Sequence, residues 1–232
     1  MDLVQRFEYG RSASPNLAVM VTGFRGKQDQ VMRAVGEFCT NGYGVVSYDF
    51  AEDVFTAGQP ELLTQAVQEV TDDVTDRVHT DDVQTVLPTG VSTGALFTLE
   101  LQRQKIATLP GVYGAAGADS AQSIFHNPAL GFLRKAYQQR GYGQKDLTEQ
   151  WAELHRPPED GFVVALGVLD YIVHYPGMLR RIAQWRRQGV PVAQRPVMAS
   201  HTGTINWFNI HVPELMEMHA VLGHVKAPSD RG

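Results

Sequence analysis

Gly90-Val91-Ser92-Thr93-Gly94 is where residue types and spacing carry the clearest chemistry. It fits the pattern G-x-S-x-G. The β-branched segment Val83-Gln84-Thr85-Val86-Leu87 precedes it, and Ala95-Leu96-Phe97-Thr98-Leu99-Glu100-Leu101, which reads as a helix, follows it. A serine on a tight strand-to-helix turn projects its hydroxyl from a strained backbone, and flanking glycines let strand and helix pack closely. A serine hydroxyl becomes a useful nucleophile only when a histidine takes its proton and an acid fixes that histidine's tautomer. The chain order expected with this turn is Ser, then Asp or Glu, then His.

Asp170 meets the requirement for the acid, following an apolar strand within Gly167-Val168-Leu169-Asp170-Tyr171-Ile172-Val173. The competing reading of Asp170 is a turn or helix-capping aspartate, and Asp119 is the alternative acid. His201 is the expected base. It sits in Val197-Met198-Ala199-Ser200-His201-Thr202-Gly203, read as a strand end entering a polar loop that suits a mobile imidazole. His211, beside Val212-Pro213, and His174 are its rivals. Acyl transfer also needs two backbone N–H groups aimed at the developing oxyanion. Thr93 supplies one. Phe24, in the loop Thr22-Gly23-Phe24-Arg25-Gly26, is the candidate for the other.

These groups need a scaffold that brings loops together at the carboxyl ends of strands. Leu17-Ala18-Val19-Met20-Val21-Thr22 is a continuous apolar run of strand length, as in a strand buried on both faces. A helix is expected over 30–40, a strand over 44–48 and a helix over 61–78. The serine turn follows, then a strand over 112–116. Strands alternating with helices imply right-handed crossovers and a mostly parallel sheet. The alternation breaks between Asp119 and Asp160, where two or three helices form an insertion expected to act as a lid. It resumes with a strand over 162–166, a helix from Pro176 to Gly189, a strand ending near Met198 and a helix over 214–222. Residues 226–232 read as a frayed tail.

The 232 residues are 43% hydrophobic and 19% charged, enough for one domain with a large core. The net charge of −5 gives no electrostatic reason to expect nucleic acid or an anionic membrane as partner. One cysteine, Cys39, cannot make an internal disulfide, and its apolar helical surroundings suit a packed thiol. With neither a signal-peptide pattern at the N-terminus nor an apolar run of spanning length, the expected location is cytoplasmic. No metal or organic cofactor is implied. Asp72, Asp76 and His79 could meet on a helix face, where a metal site is the alternative, but they read as a solvated helix end. Arg180, Arg181, Arg186 and Arg187 form a basic helical face that reads as solubility, with docking of an acidic carrier protein as the alternative.

Over nearly its whole length the chain resembles the α/β-hydrolases. The resemblance lies in residues 19–24, in 41–49 (Asn41-Gly42-Tyr43-Gly44-Val45-Val46-Ser47-Tyr48-Asp49), in the serine turn and in 166–173. The Gly-Phe loop, the Tyr-Asp after the next strand and the late Ser-His are similar to the acyl-ACP thioesterases (acyltransferases) of bacterial bioluminescence. The elbow departs from that group, which lacks a standard G-x-S-x-G. The resemblance implies a serine hydrolase acting on an acyl ester or thioester, with an acyl carrier protein as a possible partner. A catalytically inactive binding protein and a peptidase of the same fold are the alternatives. Residues 119–160 carry Ile124, Phe125, Leu130, Phe132, Leu133, Tyr137 and Trp151. Part of that apolar surface must pack the insertion onto the sheet, and the surplus would line a channel for a hydrophobic acyl chain.

Overall fold

The computed structural model describes residues 3–10, 14–117, 120–173 and 175–224. Its strands are β1 Val4–Tyr9, β2 Asn16–Val21, β3 Gly44–Phe50, β4 Thr85–Val91, β5 Gly111–Gly114, β6 Phe162–Gly167 and β7 Val192–Val197. They form one sheet in the order β1-β3-β2-β4-β5-β6-β7. All neighbours are parallel except β1, which pairs antiparallel with β3 at one edge. The sequence reading missed β1, a half-exposed edge strand with mixed charge and no continuous apolar run.

Strand β2 shows why the inner strands read as unbroken apolar runs. Successive side chains point to opposite faces. Leu17, Val19 and Val21 therefore join one core, while Ala18 and Met20 join the other. Both faces are covered. α1 (Met32–Thr40) packs on one, while the other takes α2 (Asp53–Thr56), α3 (Pro60–Thr80) and α4 (Gly94–Arg103). Strand β4 runs beyond the expected Leu87, through Pro88 to Val91. Proline gives the ladder no donor, so it argues against a central strand. Here the pairing continues on both sides of it, with Val19 opposite Pro88 and Val112 opposite Thr89.

Between β5 and β6 the insertion forms α5 (Ser120–His126), α6 (Gly131–Gln139) and α7 (Gln144–Gln150), with short 3-10 turns at Pro128–Leu130 and Glu153–His155. Tyr137 and Trp151 anchor it. Both are fully buried and meet edge to face at 5.7 Å, and the Trp151 indole N–H donates to the Pro60 carbonyl at 3.0 Å. Burying an aromatic ring of this size contributes about 1.5–3 kcal/mol. These two residues are thus committed to packing rather than to the channel expected from the sequence.

The chain continues through α8 (Tyr175–Arg187), β7, α9 (His201–Ile210) and α10 (Val212–His224). Of the basic residues on α8, Arg186 donates to the Val192 carbonyl at 2.7 and 3.0 Å and fastens the helix to β7. Cys39 is half-buried beside the α1 core, and burial pushes its thiol pKa up. Among the described residues, no group of histidines, cysteines and carboxylates could hold a metal ion. No described helix is long and apolar enough to cross a membrane. The tail at 226–232 lies outside the described residues.

Candidate active site

Ser92 sits between β4 and α4 with φ +54°, a left-handed conformation that costs a non-glycine residue of order 1–3 kcal/mol. What holds it there is the close approach of β2, β4 and α4. A Cβ on Gly94 would collide with the carbonyl oxygens of Val21 and Thr22. On Gly90 it would meet the Gly94 carbonyl and the Ala95 nitrogen at 2.9 Å. The Ser92 N–H donates to the Gly114 carbonyl at 2.8 Å, fixing the turn against β5. Both motif glycines are therefore required by sterics.

The Ser92 hydroxyl donates to His201 Nε2 at 2.9 Å, and His201 Nδ1–H donates to Asp170 Oδ2 at 2.7 Å. Because a carboxylate only accepts, the Asp170 contact sets the tautomer that leaves Nε2 as an acceptor. All three residues are buried. Asp170 Oδ1 accepts from the Ile172 and Val173 N–H groups, each at 2.8 Å. Oδ1 thus serves the turn that the sequence also suggested, while Oδ2 faces the imidazole of His201.

The surroundings of His201 differ from expectation. It does not lie in a mobile loop but opens α9, capped by the Ser200 side chain, which accepts from the Gly203 N–H at 3.4 Å. The apparent loop signals, Ser200 and Gly203, belong to a helix start, which the sequence reading missed. His211 ends that helix, where Nδ1–H donates to the Trp207 carbonyl at 2.9 Å and the ring stacks on Trp207 at 4.2 Å. Asp119 and His174 lie outside the described residues.

The loop after β2 is braced from below. Thr22 Oγ1 and Gln28 Nε2 donate to Asp49 Oδ1 at 2.8 and 2.7 Å, and the Gly26 N–H closes a turn onto Gly23 at 2.7 Å. Phe24 reaches the cleft beside Thr93. Its N–H, expected to be an open donor, instead donates to Thr93 Oγ1 at 2.9 Å. The Thr93 N–H has no acceptor among the described residues.

Over these groups lies a partly open cleft of about 110 Å³. Ile124, Leu130 and Leu133 of the insertion line it together with Phe24, Phe55, Leu96, Ile172 and Val173; Ser120 and Ser123 add hydroxyls. Phe132 is partly exposed and stacks on Phe24 at 6.2 Å, so it braces the loop after β2 from the insertion side. Phe55 was not anticipated, since a four-residue helix shows no periodicity. Its edge contact with Phe24 at 5.4 Å makes it part of the cleft wall.

No family model matches this sequence, and no curated protein matches it. Solved structures do. An esterase from Pyrococcus furiosus is 15% identical, with 93% of this chain and 90% of that one covered at a TM-score of 0.61. An esterase from Thermogutta terrifontis is 14% identical, with 99% and 90% covered and a TM-score of 0.63; it has also been solved phosphonylated by sarin and with butyrate bound. A monoacylglycerol lipase from Paleococcus ferrophilus is 12% identical, with 93% and 99% covered and a TM-score of 0.59. The likeness covers 93–99% of this chain, and the fold of the chain is that of the α/β-hydrolases.

Proposed function

We propose that the protein is a serine hydrolase that cleaves an acyl ester or thioester through an acyl-enzyme on Ser92. The observation that carries this reading is the unbroken relay from Ser92 through His201 to Asp170, at 2.9 and 2.7 Å, opening onto an apolar cleft. As Ser92 Oγ bonds to the substrate carbonyl carbon, its proton passes to His201 Nε2 and the carbonyl electron pair moves onto oxygen. Asp170 stabilises the imidazolium that forms. The Thr93 N–H faces the developing oxyanion, beside the Phe24 loop whose N–H holds the Thr93 hydroxyl. Collapse expels the alcohol or thiol, which takes the proton from His201. Water then enters with the same histidine as base and releases the acid. Every step uses this chain's own side chains and amides.

The lining favours an acyl chain over a peptide or a sugar, because apolar side chains give little to a polar leaving group but gain with each methylene buried. The insertion acts as the lid over that chain. The similarity to bioluminescence acyl-ACP thioesterases supports a thioester as an alternative to an oxygen ester, and an acyl carrier as a possible donor. The butyrate complex and the phosphonylation of the Thermogutta esterase support a short or medium acyl group and an activated serine. A fluorophosphonate probe tests the core of the reading. Wild-type protein should be labelled and Ser92→Ala should not; labelling that survives in Ser92→Ala would sink it. A series of p-nitrophenyl esters and acyl-CoA thioesters tests the substrate class. Turnover should rise from acetyl to medium chains, and a strict acetate preference would remove the acyl-channel role from the insertion.

A further inference from the structure

We infer that the Thr93 side-chain hydroxyl, held by the Phe24 amide, donates directly to the oxyanion. This rests on the hydrolase reading of Ser92. The Phe24 N–H, which an open oxyanion loop would aim at the substrate, is already given to Thr93 Oγ1 at 2.9 Å. Both residues line the cleft next to Ser92, and Thr93 is only partly buried there. Thr93 stands at the N-cap of α4, where a threonine hydroxyl commonly caps the helix, yet it makes no capping bond. Among the described residues its hydroxyl proton has no acceptor, and neither has its backbone N–H.

A hydroxyl accepts through its lone pairs and donates one proton. With a lone pair filled by Phe24, the proton of Thr93 remains for the substrate oxygen. The amide then does two things. It selects one rotamer of a side chain already stiff through β-branching, so the donor is in place before charge develops. It also polarises the hydroxyl, since an N–H···O–H···O⁻ chain strengthens each of its members. One residue thereby presents two donors, N–H and O–H, to the same oxygen. Phe24 acts behind it as a positioning residue. When the tetrahedral intermediate forms, the new Oγ–C bond sends the carbonyl electron pair onto that oxygen. The pair returns when the leaving group departs.

The test compares Thr93→Val, which keeps the shape but removes the hydroxyl, with Thr93→Ser, which keeps the hydroxyl. Thr93→Val should lower kcat by about 10²-fold with KM little changed, and Thr93→Ser should retain most of the turnover. A long-chain trifluoromethyl ketone, which forms an oxyanionic hemiketal on the serine, should lose affinity for Thr93→Val by the same factor as kcat/KM. Unchanged or higher turnover in Thr93→Val would overturn the inference, because the freed Phe24 N–H would then be the donor. Lost turnover with unaltered ketone affinity would overturn it as well, leaving the hydroxyl as a loop brace. Should Thr93→Val fail to fold, Thr93→Ala read against Thr93→Ser gives the same comparison. Fluorophosphonate labelling of the wild type runs alongside. A labelled wild type with an unaffected Thr93→Val removes only the donor role, whereas an unlabelled wild type removes the hydrolase reading itself.

Discussion

Replacing Asp170 by Asn should leave the fold intact and nearly abolish turnover, and the structure says why. Asp170 Oδ1 accepts two backbone N–H groups at 2.8 Å, and Oδ2 accepts His201 Nδ1–H at 2.7 Å. Asparagine keeps one oxygen and turns the other position into a donor. Pointing that NH₂ at the Ile172 and Val173 amides would leave both N–H groups unpaired, at about 1–3 kcal/mol each. The oxygen therefore stays with the amides and the NH₂ faces His201. Nδ1 must then accept, so the ring proton moves to Nε2, where it meets the Ser92 hydroxyl and cannot take its proton. A wrong tautomer with intact geometry costs about 10⁴-fold in kcat, or roughly 5.4 kcal/mol of barrier. The assay is p-nitrophenyl ester hydrolysis beside a thermal melt. A melting temperature near wild type with kcat down by orders of magnitude is the expected result. Turnover within tenfold of wild type would refute the tautomer argument. Asp119→Asn, measured in parallel, should be mild; the reverse ranking would transfer the acid role to Asp119.

Three other outcomes follow from the geometry. Gly94→Ala should destabilise the fold by at least the 1–3 kcal/mol of an overpacked core, because its Cβ would run into two carbonyl oxygens of β2 and its start of loop; a wild-type melting temperature would contradict the close approach. Leu130→Trp should fill the cleft, so that turnover of medium-chain esters falls while acetate is spared; equal losses across the ester series would show that the acyl chain lies elsewhere. His211→Ala should keep most of the activity and lower stability by roughly 1 kcal/mol through loss of the Trp207 stack and hydrogen bond; an inactive but folded variant would unseat His201 as the base.

The sequence by itself determined the parts of this protein whose physics is local. An apolar run such as residues 17–21 has few fates other than a strand covered on both faces, so the parallel sheet was legible from it. The Ser92 turn was legible because strand, small residues and helix must follow one another within a few positions for such a turn to close. Asp170 and His201 were legible only as strand-end residues in the right chain order. Tertiary structure decided everything that depends on distant segments meeting. It set the 109-residue separation that closes to 2.9 Å between Ser92 and His201, and it split the two oxygens of Asp170 between a turn and an imidazole. It made a helix of residues 201–210 where Gly203 and polar neighbours read as loop, because Ser200 caps the start and Phe208 is fully buried against the sheet. It recruited β1, whose half-exposed sequence carries no signal until β3 supplies its hydrogen-bond partners. It also placed the Thr93 hydroxyl on the Phe24 amide, 69 residues away in sequence. Periodicity reports which face of an element is buried; which other element buries it is fixed only when the chain closes on itself.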